Sequence, residues 1–288
     1  MNGELLSKKL RAGERVYGTH VASLGNPLAA KIQSTVSYDF VFICTEHMPV
    51  DRTEVSSICQ LYSGKGISPM VRIPSPDPYY AAMALDGGAE GIVVPYLETV
   101  EQAKAMIGAV KYRPIKGKKL DDIIENRIIL NEETDKYIKS FNRNNYLIIG
   151  IESVYGYKNI DSLLALEGVD GIFLGPHDLT ISMEIPEQYK HPDFIRVVTD
   201  IIQRCRKSRK GVGLHVSQLI YSDEYIMDTF IDQGMNFILY GADIVLLKND
   251  MEKNISGMRE RYNDTFMKTS TVVETVTCID PEKDKEKR

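Results

Sequence analysis

Two acidic residues follow neighbouring apolar segments of this chain, Glu152 in YLIIGIES and Asp178 in DGIFLGPHD. If those segments are adjacent parallel strands, about 4.8 Å apart, the two carboxylates reach one divalent cation. Such a pair suits Mg²⁺ or Mn²⁺, which favour oxygen ligands and keep water or substrate in the remaining positions. Spacing alone equally allows Glu152 to pair with a basic group and Asp178 to cap the following helix. Arg72 closes the segment SPMVR. A guanidinium there would steady an enolate or bind a carboxylate, or form an ion pair at a rim. His47 follows Glu46 in CTEHMP, and an imidazole can move a proton near neutral pH, although a single histidine also serves structural ends. His20, His177 and His215 lie near the ends of other apolar segments, without the spacing of a nucleophilic triad.

These residues need a scaffold that gathers segment ends. Eight β-rich runs recur, at 16–22, 39–47, 68–74, 90–96, 146–153, 170–176, 210–216 and 236–243. Several are nearly continuous in apolar residues, as parallel strands covered on both faces require. Between them, stretches such as LETVEQAKAMIGAVKY (97–112) and DFIRVVTDIIQRCRKS (193–208) carry helical spacing. Eight such alternations predict an α/β fold, a closed (β/α)8 TIM barrel; a doubly wound open sheet uses the same ingredients. In a barrel the C-terminal strand ends converge on one mouth. Here they carry His20, Glu46, His47, Arg72, Glu152, Asp178, His215 and Asp243. Ionisable groups closing so many apolar strands are costly unless paired or functional, so the mouth is predicted to hold a polar site.

The 288 residues are 43% hydrophobic and 26% charged, enough for one large core. A formal charge of -5 argues against a nucleic-acid surface. No apolar run approaches the roughly 20 residues of a membrane span, and the first residues lack the apolar stretch of a signal peptide. Cys44, Cys59, Cys205 and Cys278 are scattered without a CxxC pair, which suggests reduced thiols in a cytoplasmic protein. LDGGAEGIVVP (85–95) lacks a helix-opening GxGxxG, arguing against a dinucleotide site. Two regions fall outside the repeat. Residues 113–145 are a long connection, of the kind often used for function or an interface, with a KGKK cluster read as a solvated loop and a polar helix-like stretch near NEETDKYIKSF. Residues 1–264 are expected to form the catalytic barrel, and 265–288 an extension whose DPEKDKEKR end is too charged to bury and is expected to be disordered.

Taken together, YDFVFICTEHMPVD, PMVRIP, ALDGGAEGIVVPYLETVEQAKAMIGAVKYRP, GIESVYGYKNID, GVDGIFLGPHDLT and GMNFILYGADIVLL resemble the HpcH/HpaI aldolase family over about residues 14–250. These are metal-dependent class II pyruvate aldolases similar to 2,4-dihydroxyhept-2-ene-1,7-dioate aldolase and macrophomate synthase. The resemblance implies a barrel of the phosphoenolpyruvate/pyruvate type. It implies that Glu152 and Asp178 hold the metal, with Mg²⁺ or Mn²⁺ foremost and Co²⁺ or Zn²⁺ as alternatives. Gly175, Pro176 and the backbone amides of His177 and Asp178 would hold the substrate carboxylate. Arg72 would stabilise the enolate and His47 would serve as acid–base. Glu46 would lie near metal-bound water and Asp86 near the aldehyde end. The partners implied are a small 2-oxo acid, an aldehyde and further copies of the chain, in a homo-oligomer that in the family is often a hexamer.

The chain also departs from the pattern. Cys44 stands where the resemblance expects an aspartate to orient His47, and a thiol is a weaker hydrogen-bond partner than a carboxylate. Gly150 replaces a glutamine, Lys118 and Lys119 stand for an arginine–glycine pair, and a glycine expected after the DL motif is replaced near Glu184. The metal–enolate half is intact. Aldol cleavage or condensation is therefore the expected reaction. Oxaloacetate-type decarboxylation at the same site, a citrate-lyase-like acyl-CoA activity and a non-catalytic binding barrel are the alternatives.

Overall fold

The computed structural model describes residues 1–23, 25–216 and 224–264. Its strands are β1 (Val16–His20), β2 (Phe40–Cys44), β3 (Ser68–Arg72), β4 (Gly91–Val94), β5 (Tyr146–Ile151), β6 (Gly171–Leu174), β7 (Gly211–Val216) and β8 (Phe237–Ala242). Each lies within one of the eight predicted runs. They pair in chain order, all parallel, and β8 closes on β1 through Val16 opposite Phe237. That closure makes the sheet a (β/α)8 barrel and excludes the open doubly wound alternative. The strands are shorter than the apolar runs, so the residues with chemistry fall on or just past the strand ends.

Side chains alternate across a strand with period two, and this parity decides which residues see the barrel interior. Phe40, Phe42, Met70, Val93, Tyr146, Ile148, Phe173, Phe237 and Leu239 form the inner core. Val41, Ile43, Val71, Ile92, Val94, Leu147 and Ile149, one step out of phase, pack under the helices. Phe40 stacks on Phe237 with ring centroids 4.7 Å apart, and Phe42 on Phe173 at 5.6 Å. Truncating one such buried ring to alanine costs about 3–5 kcal/mol. Gly91 makes room for the inner ring of Tyr146, which a β-carbon there would approach to 2.3 Å. Cys44, Arg72 and Glu152 share the inward parity, so the same alternation that fills the barrel aims them at its mouth.

The opposite end is closed by the helix Gly3–Ala12, whose N-cap Asn2 accepts from the Leu5 amide. Leu6 and Leu10 are fully buried beneath the barrel. Buried Asp170 anchors this floor: it accepts from Ser7 Oγ and Arg11 Nη2 at 2.7 Å, from Lys111 Nζ at 2.6 Å and from the Leu147 amide at 2.8 Å. Burial alone would raise its pKa, but Lys111 and Arg11 outweigh burial and hold it below the ordinary value.

The long connection contains the helices Gly117–Ile124 and Glu132–Phe141. The KGKK cluster is therefore not a loop: Lys116 is the N-cap and Gly117–Lys119 begin the first of these helices. No helix among the described residues is long and apolar enough to cross a membrane. The expected extension at 265–288, with Cys278, lies outside the described residues, as does the side chain of His215.

Candidate active site

Parallel register brings the strand-end residues together. Ile151 of β5 pairs with Leu174 of β6, so Glu152 emerges beside Gly175. Gly175 is the N-cap of the helix Pro176–Ser182, and Asp178 sits in that helix's first turn. The cap is thus a glycine, and no side chain caps this helix, so Asp178 does not have the capping role that spacing alone allowed it. Across the mouth, Cys44 of β2 pairs with Arg72 of β3.

Arg72 is held at three points. Its Nε lies 3.0 Å from Glu46 Oε2, an ion pair off the line of a hydrogen bond. Its Nη2 donates to Cys44 Sγ at 3.1 Å, and its guanidinium lies over the Phe42 ring, 5.6 Å from the centroid. Arg72 thus forms the ion pair that its position at a strand end allowed, with Glu46. His47, half exposed, has Nε2 3.6 Å from Glu46 Oε2, while its backbone amide donates to Cys44 Sγ at 3.3 Å. The thiol therefore touches the His47 backbone and Arg72, and the group facing the imidazole is Glu46.

The electrostatics of the cluster are unbalanced. Burial, then the carboxylates of Glu46 and Asp178, push Glu152 up to about 7, against the pull of Arg72 and the Tyr96 backbone. Burial also raises Glu46; Arg72 and His47 oppose it, and Asp178 adds to it. Glu152 is 2% exposed, and its Oε1 is buried without a hydrogen-bond donor. Glu152 and Asp178 influence each other across this mouth, and the buried Glu152 oxygen without a donor fits a hard divalent cation. Among the described residues no group of three or more His, Cys, Asp or Glu is arranged to hold a metal. A two-carboxylate site, completed by water and substrate oxygens, is what these residues can offer.

Tyr96, two residues past β4, was not marked by the sequence. It adopts a left-handed φ of +47°, and the Leu97 amide donating to Gly150 O at 3.1 Å fixes this turn beside Glu152. Burial, then Asp178 and Glu152, raise its phenol to about 12, with a hydrogen bond to Asp178 among the causes. Its position just past a strand end was the available signal. His20, at the end of β1, lies edge-on to Phe42 at 5.6 Å. Burial, Arg72 and His47 lower it to about 4, so it is neutral at physiological pH.

Other candidate side chains have partners of their own. Asp243 is buried and accepts from the amides of Ala22, Ser23 and Ile244, bracing the loop after β1. The His177 ring faces Glu187, with Nδ1 3.5 Å from Oε1. Asp86 ends the helix Pro78–Asp86 and pairs with Arg113. A groove of about 870 Å³ between that helix and Arg52–Ser63 is lined by Thr45, Ile73, Tyr80, Met83 and Asp86 among others. Glu46, Arg72, Glu152 and Asp178 do not line it.

The family model for HpcH/HpaI aldolase/citrate lyase matches residues 20–250, most of the chain. The chain belongs to this family. A pyruvate aldolase from Rhizobium etli is 31% identical over 245 residues, covering 85% of this chain and 93% of the relative. A hydroxypyruvate/pyruvate aldolase from Roseovarius nubinhibens is 27% identical over 250 residues, covering 87% and 95%. The crystal structure of an HpcH/HpaI aldolase from Desulfitobacterium hafniense superposes with a TM-score of 0.73 at 25% identity, covering 88% of this chain and 96% of that one. As an HpcH/HpaI protein the chain is a carbon–carbon lyase of the aldol type.

Two of its departures sit in defined local geometry. A β-carbon at Gly150 would stand 2.7 Å from Val94 O and 3.1 Å from Glu152 Oε1, so a glutamine here requires β4 to shift. Glu184 adopts φ +60°, the left-handed region where glycine fits and other residues bear about 1–2 kcal/mol.

Proposed function

We propose that this barrel makes and breaks the bond between a pyruvate unit and an aldehyde, using a divalent cation, Mg²⁺ or Mn²⁺, held by Glu152 and Asp178. The observation behind this reading is the buried Glu152 Oε1, which has no hydrogen-bond donor and shares its mouth with two more carboxylates. The names of the relatives, pyruvate and hydroxypyruvate aldolases, support pyruvate as the enolate-forming partner.

When bound, the cation would supply Lewis acidity at the keto oxygen of the 2-oxo acid. The amides of His177 and Asp178, in a first helical turn that leaves such N–H groups without intrahelical acceptors, would hold the substrate carboxylate beside Gly175 and Pro176. In the cleavage direction His47, directly or through water, takes the proton of the 4-hydroxyl group. The C3–C4 bond breaks, the aldehyde leaves, and the electron pair passes into the enolate. Arg72 directs its N–H groups at the developing negative charge. A proton delivered to C3 gives pyruvate, and condensation is the reverse. Glu46, between His47 and Arg72, orients both.

The reading is tested with pyruvate and a panel of short aldehydes, followed by product chromatography. Product forms with Mg²⁺ or Mn²⁺, disappears with chelator and is abolished in Glu152→Ala. Metal-independent product that survives Glu152→Ala contradicts it. A second reading, decarboxylation of oxaloacetate, draws on the same carboxylates and Arg72 but needs less of His47. It is favoured by the absence of a carboxylate at Cys44.

We assign catalysis to residues 1–264 and treat 265–288 as an extension outside the reaction. A cytoplasmic, reducing setting is inferred from Cys44, Cys59 and Cys205, which are buried free thiols. Assembly into homo-oligomers is supported by the helix Asp243–Tyr262, where Leu247, Met251, Ile255, Met258 and Tyr262 form an exposed apolar stripe. Light scattering of the wild type and Met251→Glu tests it; equal masses at the monomer value count against assembly.

A further inference from the structure

We propose that Cys44 is a positioning residue for Arg72, an inference that rests on the aldolase reading and gives residue 44 a task separate from the proton relay. Cys44 is the last residue of β2, directly opposite Arg72 in register. Its thiol is 1% exposed and faces inward with Phe42. One sulfur accepts from two donors, Arg72 Nη2 at 3.1 Å and the His47 amide at 3.3 Å.

The geometry separates two functions. Arg72 Nε already faces Glu46 and its plane lies over Phe42, but the far end of the fork at Nη2 has Cys44 as its acceptor. Without that acceptor a donor in a side chain only 11% exposed must turn away to find another partner, because an unsatisfied buried donor is costly. Sulfur is a weak, neutral acceptor. It therefore aims the guanidinium without supplying a full balancing charge, and yields readily when an enolate oxygen competes for the same N–H. The His47 imidazole, meanwhile, faces Glu46, so its proton chemistry does not pass through residue 44.

The experiment is solvent deuterium exchange into the pyruvate methyl group with saturating Mn²⁺, read as kcat, KM and pH profile. Cys44→Ala lowers kcat by about tenfold to a hundredfold, the scale expected for a misaimed group, with KM and the pH midpoint unchanged. Cys44→Ser, which keeps an acceptor, recovers most of the loss. Glu46→Gln moves the pH profile. If Cys44→Ala folds poorly, Cys44→Val keeps the bulk without the acceptor and carries the same expectation. An unchanged kcat in the alanine and valine variants overturns the inference, and so does a moved pH midpoint, which would tie residue 44 to His47. A wild type that exchanges no deuterium sinks the aldolase reading itself, and this inference with it.

Discussion

Replacing Glu152 with glutamine is expected to stabilise the metal-free protein at alkaline pH and to erase its response to divalent cations. The carboxyl is raised from 4.5 to about 7, chiefly by burial and then by Glu46 and Asp178. A group with a folded pKa above its unfolded one binds its proton more tightly when folded. Stability is therefore lost as pH climbs from 4.5 to about 7, and the deficit is constant above that. At about 1.4 kcal/mol per pH unit, the full deficit is about 3 kcal/mol. Glutamine removes the charge but buries an amide short of partners, at about 1–2 kcal/mol, which leaves a net gain of about 1–2 kcal/mol at pH 8.5. At pH 5.5 most of the deficit has not yet developed, so the advantage of the variant grows by about 2 kcal/mol between the two conditions. Urea unfolding in chelator at both pH values measures this difference. Excess Mg²⁺ or Mn²⁺ then stabilises the wild type by mass action and leaves Glu152→Gln unmoved. A wild-type advantage that is the same at both pH values, or larger at 8.5, would show that Glu152 is a satisfied structural carboxylate and refute the reasoning.

Asp170→Asn costs about 3 kcal/mol at pH 7, the scale of breaking a buried ion pair, because Lys111 and Arg11 lose their shared carboxylate. Since the folded pKa of Asp170 lies below the ordinary 3.8, that contribution persists above about pH 4 and fades as pH falls through the folded value; urea melts at pH 7 and pH 3 compare the two. Arg72→Lys keeps the charge but loses the fork that reaches Glu46 and Cys44 together. Its kcat for pyruvate methyl exchange falls by about 10²–10³-fold, and an unchanged kcat would remove Arg72 from enolate stabilisation. Tyr96→Phe deletes the phenol that touches Asp178 and weakens Mn²⁺ binding about tenfold in calorimetric titration; equal affinity would make that contact incidental.

The barrel was legible because buried parallel strands leave near-continuous apolar runs, and eight of them alternate with helical spacing. The inward aim of Arg72 and Glu152 follows from strand parity once the run is read as a strand. Tyr96 was legible only as a residue just past a strand end: VVPYLE holds no sign of a left-handed turn, and the register of β4 on β5 brings it to Glu152. Cys44 was visible as a departure, but its contact with Arg72 depends on the β2–β3 pairing, which composition does not encode. The pairing of Asp86 with Arg113 at a helix end was likewise not legible, because it depends on the tertiary placement of the long connection. KGKK reads as a loop because three lysines and a glycine carry no helical periodicity, and Leu120 and Ile123, which anchor the helix, come only afterwards.

Two carboxylates just past the ends of neighbouring strands, Glu152 after β5 and Asp178 in the helical turn after β6, are proposed to share a divalent cation and activate the methyl group of pyruvate. Proton NMR of pyruvate in deuterated buffer tests this without knowledge of the aldehyde. Loss of the methyl signal with Mg²⁺ or Mn²⁺, its persistence in chelator and its persistence in Glu152→Ala are the results this account predicts. A methyl signal that survives with wild-type protein and saturating metal would contradict it.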